Sequence, residues 1–515
     1  MSDSTSRHET VPGRGSVAFG GCRSRRVESE GGDCTSLRLL LPEGRERAEL
    51  WKHLEAVVER HLDTIRDRPV SGSDQTEVLN RLLGDFDFAL EQPLDSVMSQ
   101  VVDLLTRFQV QTTHPSYFGL FNPAPSFASI LAETLVSAFS PQLGSRSHSP
   151  VGVDVENLLV KRFGERFGYG SEEAGGTFTT GGGEANLTAV ILALARAWPQ
   201  CLDLGLRSLP GQPTVYLSAL AHHSLHKAVR CAGLGTQSLR EIGVDAAFRI
   251  DISALRRQIE SDRRAGFLPL LLIGTIGTTM SGSIDPLDAL AEVAMENDLW
   301  LHVDAAWGGA AVLSSRLKHL CSGTAMADSI TFDPHKWLTM PAGCGLFLTK
   351  HPGLLPASFR ADNSYMPATA AGRTPQDPYA RSLQWTRRFS GLKLFMTLGS
   401  IGWQGYERLV NEQTDLGHRL RRGLEGTAWR IANSSELPLV CFRDGASELQ
   451  RGDQYHRDIC AKVVNSGRGW ISTVDLPGTG TCLRACVTNY RTTAEDVDSL
   501  ITLLGEARTA CEAPL

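Results

Sequence analysis

At 515 residues the chain is long enough to bury one large core, a smaller second one and an interface besides. A net charge of −6 and a pI near 6.2 offer no basic field for nucleic acid, and eleven scattered cysteines without CxxC pairs argue against a disulfide framework or zinc ribbon. The opening "MSDSTSRHET" lacks a leader pattern, and the apolar run "LPLLLIGTIG" is strand-sized rather than membrane-sized, so a soluble cytoplasmic protein is expected.

Residues 1–45, rich in Gly, Ser and Arg ("PGRGSVAFGGCRSRR"), read as a disordered tail. A helical period begins in "ERAELWKHLEAVVERHLDTI", where Leu50, Leu54, Val57, Val58 and His61 share one face. With "PLDSVMSQVVDLLTRF" it defines a helical segment over 46–125. Short apolar runs then recur at 214–218, 238–242, 270–275, 299–304, 329–332 and 344–349, with helical patterns between several of them. In one such helix, "DPLDALAEVAMEN", Asp285 is the expected N-cap, Pro286 the first helical residue, and Leu287, Leu290, Ala291 and Ala294 the buried stripe. The alternation predicts an α/β domain over 126–400 with a large, mainly parallel sheet. "TCLRACVTNY" followed by "TTAEDVDSLITLLGEA" predicts a small C-terminal α/β domain over 401–515.

Ligands of open α/β sheets gather at the carboxyl ends of strands, and four features fall there. In "FTTGGGEANLTAVILALARA" three glycines lead into a helix with Leu187, Val190, Ile191 and Leu194 as its stripe. Such a turn is a plain connection or a phosphate cradle, but lacks the GxGxxG spacing of a dinucleotide site. Asp304 ends the strand of "WLHVDAAWGG" and suits either a helix cap or a cationic ring nitrogen. His222 and His223 follow a strand in "LSALAHHSLHKAVRCAG", with no carboxylate–histidine spacing for a metal. A ring stacked on a flat ligand is the economical role. Lys336, in "SITFDPHKWLTM", either snorkels to the surface or serves as a nucleophilic amine. A phosphate cradle, a carboxylate for a ring nitrogen, a stacking ring and an amine are together what pyridoxal 5'-phosphate requires.

"HVDAAWGG", "DPHKW" and "GGGEAN" resemble, in order and spacing, the motifs of the group II pyridoxal-phosphate-dependent amino acid decarboxylases, which act on aromatic amino acids, glutamate or diaminobutyrate. The resemblance runs from about residue 50 to the C-terminus. It implies a fold-type I homodimer with the active site at the interface, and decarboxylation of an L-amino acid to the amine and carbon dioxide. By matching position, Lys336 would carry the cofactor covalently, Asp304 would pair with the ring nitrogen, Ala306 would lie against one ring face and His222 on the other. Gly182, Gly183 and Glu184 occupy the phosphate turn, where relatives often have serine or threonine. Thr279 matches a threonine near the cofactor, and His335 matches a histidine that approaches the phosphate.

"ASFRADNSYMPA" matches the start of a mobile loop in that family, and Tyr365 stands where its proton-donating tyrosine would be. Phenylalanine there goes with aldehyde formation, so Tyr365 implies simple decarboxylation. "THPSYFGLFNPAPSF" resembles the segment lining the substrate side chain, with Phe121, Asn122 and Pro123 as wall residues and His114 near the carboxylate. Trp307 replaces a tyrosine of the aromatic-substrate branch, tilting the expectation toward acidic or diamino substrates. Arg387, in "WTRRFSGLKLF", is either structural or a loop anchor. Aldehyde synthesis, transamination and a non-catalytic scaffold are the alternatives.

Overall fold

The structure, a computed structural model, describes residues 40–72, 75–359, 377–445 and 452–512. Most of the N-terminal tail and the loop bearing Tyr365 lie outside these residues. The chain divides into two units, residues 1–60 and 61–515. The first contains most of the Gly44–Thr64 helix. In the second, helices Thr76–Gly84 and Leu94–Arg107 precede the main sheet.

That sheet has seven strands in the order β1-β7-β6-β5-β4-β2-β3. In chain order they are β1 Gly175–Thr179, β2 Pro213–Ser218, β3 Leu239–Ile242, β4 Leu268–Thr275, β5 Trp300–Asp304, β6 Ser329–Phe332 and β7 Gly345–Thr349. The β3-β2-β4-β5-β6 run is parallel, and every residue of β2, β5 and β6 is buried, as expected of strands covered on both faces. β7 is antiparallel to both β1 and β6. The reason is local: only residues 333–344 join β6 to β7, with no helix to make the crossover that a parallel partner needs. That short return holds Asp333, His335 and Lys336 at the end of the sheet. β1 escapes the apolar-run reading because two of its five residues are glycine.

Two helix details differ from expectation. Leu287–Asn297 begins one residue later than read, with Pro286 at the cap. Asp285 does not cap it; its carboxylate accepts the Ile250 and Thr275 N–H groups at 2.8 and 2.9 Å, joining two loops instead. The Gly182–Ala197 helix buries more than the expected stripe. Ala185, Ala189, Leu192 and Ala193 are fully enclosed while Leu187 and Ile191 are only partly so, because the helix is covered by the sheet and by neighbouring helices.

The helix Gly391–Glu425 runs through residue 400 and is interrupted at Gly402, whose φ of 65° is open to glycine. Beyond it lies a four-stranded antiparallel sheet, ordered β10-β11-β9-β8, from β8 Trp429–Ile431, β9 Leu439–Asp444, β10 Ser472–Leu476 and β11 Gly480–Cys486. Helices Gly452–Asn465 and Ala494–Glu512 pack on it around Phe442, Leu483, Val497 and Leu504. Each such side chain contributes roughly 1.5–3 kcal/mol by burial. Among the described residues, no helix is long and apolar enough to cross a membrane.

Candidate active site

The carboxyl ends of β1, β2, β4, β5 and β6 converge on a cavity of about 260 Å³. Its wall includes Gly182, Gly183, His222, Thr279, Asp304, Ala306, His335 and Lys336, all singled out from the sequence.

β1 supplies the turn. Gly181 has φ 156° and ψ −178°, a region in effect reserved for glycine, and a Cβ there would stand 3.1 Å from His335 Cε1. The chain then enters the Gly182–Ala197 helix with no side chain capping it, which leaves its positive end toward the cavity. The Gly182 N–H donates to Asp333 Oδ2 at 3.0 Å.

β5 ends at Asp304, which is buried with both oxygens engaged. Oδ1 accepts the Ala306 N–H at 3.1 Å, and Oδ2 accepts Asn186 Nδ2 at 3.0 Å. Asn186 also donates to the Ser224 hydroxyl at 3.1 Å, and that hydroxyl lies 2.9 Å from His222 Nδ1. The Ser224 N–H donates to the same Nδ1 at 3.2 Å, so this nitrogen is an acceptor and the ring proton sits on Nε2. His222 is open to solvent on the cavity side, yet desolvation by the surrounding protein lowers its imidazole pKa. Asp304 opposes that shift and Lys336 adds to it. Behind Asn186, the buried His302 bonds Asn186 Oδ1 through Nε2 at 3.0 Å and the Ser329 hydroxyl through Nδ1 at 2.8 Å. Burial lowers its pKa to about 4, leaving it neutral.

The β6–β7 return supplies the amine. Lys336 Nζ stands 3.2 Å from Asp333 Oδ2, and the Lys336 N–H closes a turn on the Asp333 carbonyl at 2.9 Å. Asp333 Oδ1 is buried without a partner. His335 places Nδ1 2.7 Å from the Cys344 carbonyl. Thr275, at the end of β4, also lines the cavity, and its hydroxyl is buried without a partner.

Five expected residues are absent from this wall. The Glu184 carboxylate accepts the Thr180 N–H and hydroxyl at 2.9 and 2.8 Å and the Gln384 amide at 2.8 Å, bracing the turn from its own side. Phe121 stacks on Trp307 with ring centroids 4.3 Å apart, behind a residue that does line the cavity. Pro123 is buried and Asn122 exposed, both outside the wall. His114 borders a different cavity with Arg66 and Arg68. Its ring accepts the Ser116 N–H and contacts the Arg66 carbonyl, which ties it to the neighbouring loop. Tyr365 lies outside the described residues.

Asn186, Thr275, Asp333 and Arg484 are the residues that sequence reasoning passes over. Asn186 was accessible, since it stands one helical turn beyond Gly182 and therefore on the same face. Arg484 is a buried residue of β11. Its Nε donates to the Thr279 carbonyl, its Nη1 to the Gly119 carbonyl, both at 2.8 Å, and Nη2 is buried without a partner.

The family model described as the pyridoxal-dependent decarboxylase conserved domain matches residues 85–444. Acidic amino acid decarboxylase GADL1 of Mus musculus is 30% identical over 420 residues, covering 79% of this chain and 76% of that protein. An aromatic-L-amino-acid decarboxylase of Bacillus atrophaeus is 26% identical over 447 residues, covering 85% of this chain and 90% of that one. The crystal structure of mouse CSAD in apo form superposes with a TM-score of 0.82 at 26% identity, covering 89% of this chain and 99% of that chain.

Proposed function

The chain belongs to the pyridoxal-dependent decarboxylases, and we propose that Lys336, Asp304, His222 and the turn at residues 181–183 are the groups with which it holds its cofactor and decarboxylates an amino acid. The single observation that carries this assignment is their meeting in one cavity. The residues fit pyridoxal phosphate: an uncapped helix start for an anion, a carboxylate for a ring nitrogen, a neutral imidazole for a ring face and an amine for an aldehyde. When bound, the cofactor supplies a ring that accepts the electron pair left by the departing carboxylate.

The protein's own part is binding, orientation and proton control. Asp304, held at both oxygens, keeps a proton on the ring nitrogen by offering it a fixed negative partner. Ala306 and His222 both line the cavity, where the small side chain would leave room for the ring and the imidazole would serve as its stacking partner. Lys336 would hold the cofactor's aldehyde through Nζ, which Asp333 Oδ2 already orients at 3.2 Å. Orientation of the substrate carboxylate across the ring plane decides which bond breaks. Tyr365 returns a proton to the substrate carbon, making the product an amine rather than an aldehyde.

The substrate class we favour is an acidic amino acid. Arg484 supports it, as a buried cation that donates to the carbonyl of cavity-lining Thr279 and whose Nη2 has no hydrogen-bond partner among the described residues. The likeness to the acidic amino acid decarboxylase points the same way. Aromatic substrates are the second reading, favoured by the Phe121–Trp307 stack and the Bacillus relative. A panel of amino acids assayed for carbon dioxide separates them.

The working form is a homodimer with its active site at the interface, acting in the cytoplasm. The helix Phe127–Phe139 leaves Phe127, Leu131, Leu135 and Phe139 exposed at four-residue spacing, an apolar stripe suited to a second copy. Sedimentation of the full chain tests it, with a concentration-independent monomer as the contrary result.

A further inference from the structure

Away from the cofactor cavity, the Pro150–Arg166 helix, β1 and residues 378–387 line a small, partly open void of about 10 Å³. Its wall includes Glu156, Thr177, Phe178, Arg381 and Arg387, none of which lines the active-site cavity. Arg387 is buried and ion-paired with Glu156, but its Nε has no hydrogen-bond partner. The Glu156 carboxylate is further shared with the Gly391 N–H at 3.0 Å. Arg381 has a buried, unpartnered Nε, and its guanidinium has neither a hydrogen bond nor an ion pair among the described residues. Asp377 does not compensate it, since its carboxylate takes the Arg146 N–H at 2.8 Å. Two guanidiniums thus line one void with a single carboxylate, which Arg387 alone of the two engages, in a setting where an uncompensated charge is disfavoured.

We infer that this void is a binding site for a single small inorganic anion of halide size, held between Arg381 and Arg387. The space between the two arginines, about 10 Å³, has room for one body about the size of a water molecule or a halide ion. A water would satisfy the N–H groups but leave the excess charge in place; a chloride ion answers both. Burial lowers the Arg381 pKa and Arg387 lowers it further, so the two cations are felt by one another. The same stretch of chain carries Gln384, whose amide grips Glu184 beside the phosphate turn at 2.8 Å. The anion therefore anchors the segment that braces the cofactor cradle.

The test is thermal unfolding of the cofactor-loaded enzyme in sodium chloride against sodium gluconate at matched ionic strength, for wild type, Arg381→Met and Arg381→Gln. Wild type should gain about 1–2 °C in Tm with chloride, saturably, by mass action on the folded state. Both variants should lose that gain, and Arg381→Met should at least match wild type in gluconate because its unpaired charge is gone. Bromide soaked into crystals should give anomalous density between the two arginines. The inference is overturned if wild type shows no saturable chloride gain, or if the variants keep it. Dimer dissociation in Arg381→Met with no chloride effect would also overturn it, assigning the charge to a carboxylate of a second copy.

Discussion

Asn186 Nδ2 lies 3.0 Å from Asp304 Oδ2 and 3.1 Å from the Ser224 hydroxyl that holds His222, so one amide orients both the Asp304 carboxylate and the His222 ring. Asn186 sits one turn into the helix that starts at Gly182, so the turn at residues 181–183 and the Asp304 and Ser224 side chains are tied to one rigid element. Asn186→Ala should leave cofactor bound while lowering kcat about 100-fold through misorientation. The pH dependence of the cofactor's visible absorbance should shift with it. An unchanged titration alongside normal kcat would remove Asn186 from this role.

Asp333 is predicted to position the amine before cofactor arrives, through its 3.2 Å contact with Lys336 Nζ. Asp333→Asn should slow capture of pyridoxal and of pyridoxal phosphate alike, followed by stopped-flow absorbance. If only the phosphorylated aldehyde is affected, Asp333 acts on the phosphate instead.

Gly181→Ala forces a side chain into a backbone region that only glycine tolerates and against His335. A cost of about 1–3 kcal/mol is expected, concentrated in cofactor affinity because the phosphate turn is what moves. Equilibrium titration with pyridoxal phosphate measures it, and wild-type affinity would show the turn to be tolerant.

His302 gives a signed pH effect. Its pKa is about 4 in the folded protein against 6.5 unfolded, so the unfolded chain binds more protons between those values. Stability is present in full above pH 6.5 and lost as pH falls toward 4, by up to about 3 kcal/mol. His302→Gln should flatten this dependence in urea titrations at a series of pH values, whereas an unaltered slope would assign the acid sensitivity elsewhere.

Tyr365→Phe should keep the cofactor's visible absorbance but divert product from amine toward aldehyde, measured by product analysis. Unchanged amine yield would place the proton donor elsewhere.

Much of this architecture is legible in the sequence because its strands are short, apolar and separated by amphipathic helices, and because Asp304 ends one such strand and Lys336 follows shortly after another. β1 is hidden by its glycines, and the reversal of β7 depends on loop length rather than composition. Asp285 shows the limit of cap rules: an acidic residue before Pro reads as a helix start, while tertiary partners claim its carboxylate. Asn186 and Arg484 are silent for a different reason. Their roles consist of hydrogen bonds to residues from 38 to more than 300 positions away, which no local pattern encodes.

Lys336 is the residue on which everything else depends. Borohydride reduction of the cofactor-loaded enzyme, followed by peptide mass mapping, locates the amine directly. The phosphopyridoxyl mass should sit on Lys336, in the peptide containing "SITFDPHKWLTM", and Lys336→Ala should lose both the label and the visible absorbance. A label on any other lysine, in enzyme that still releases carbon dioxide, would contradict the assignment.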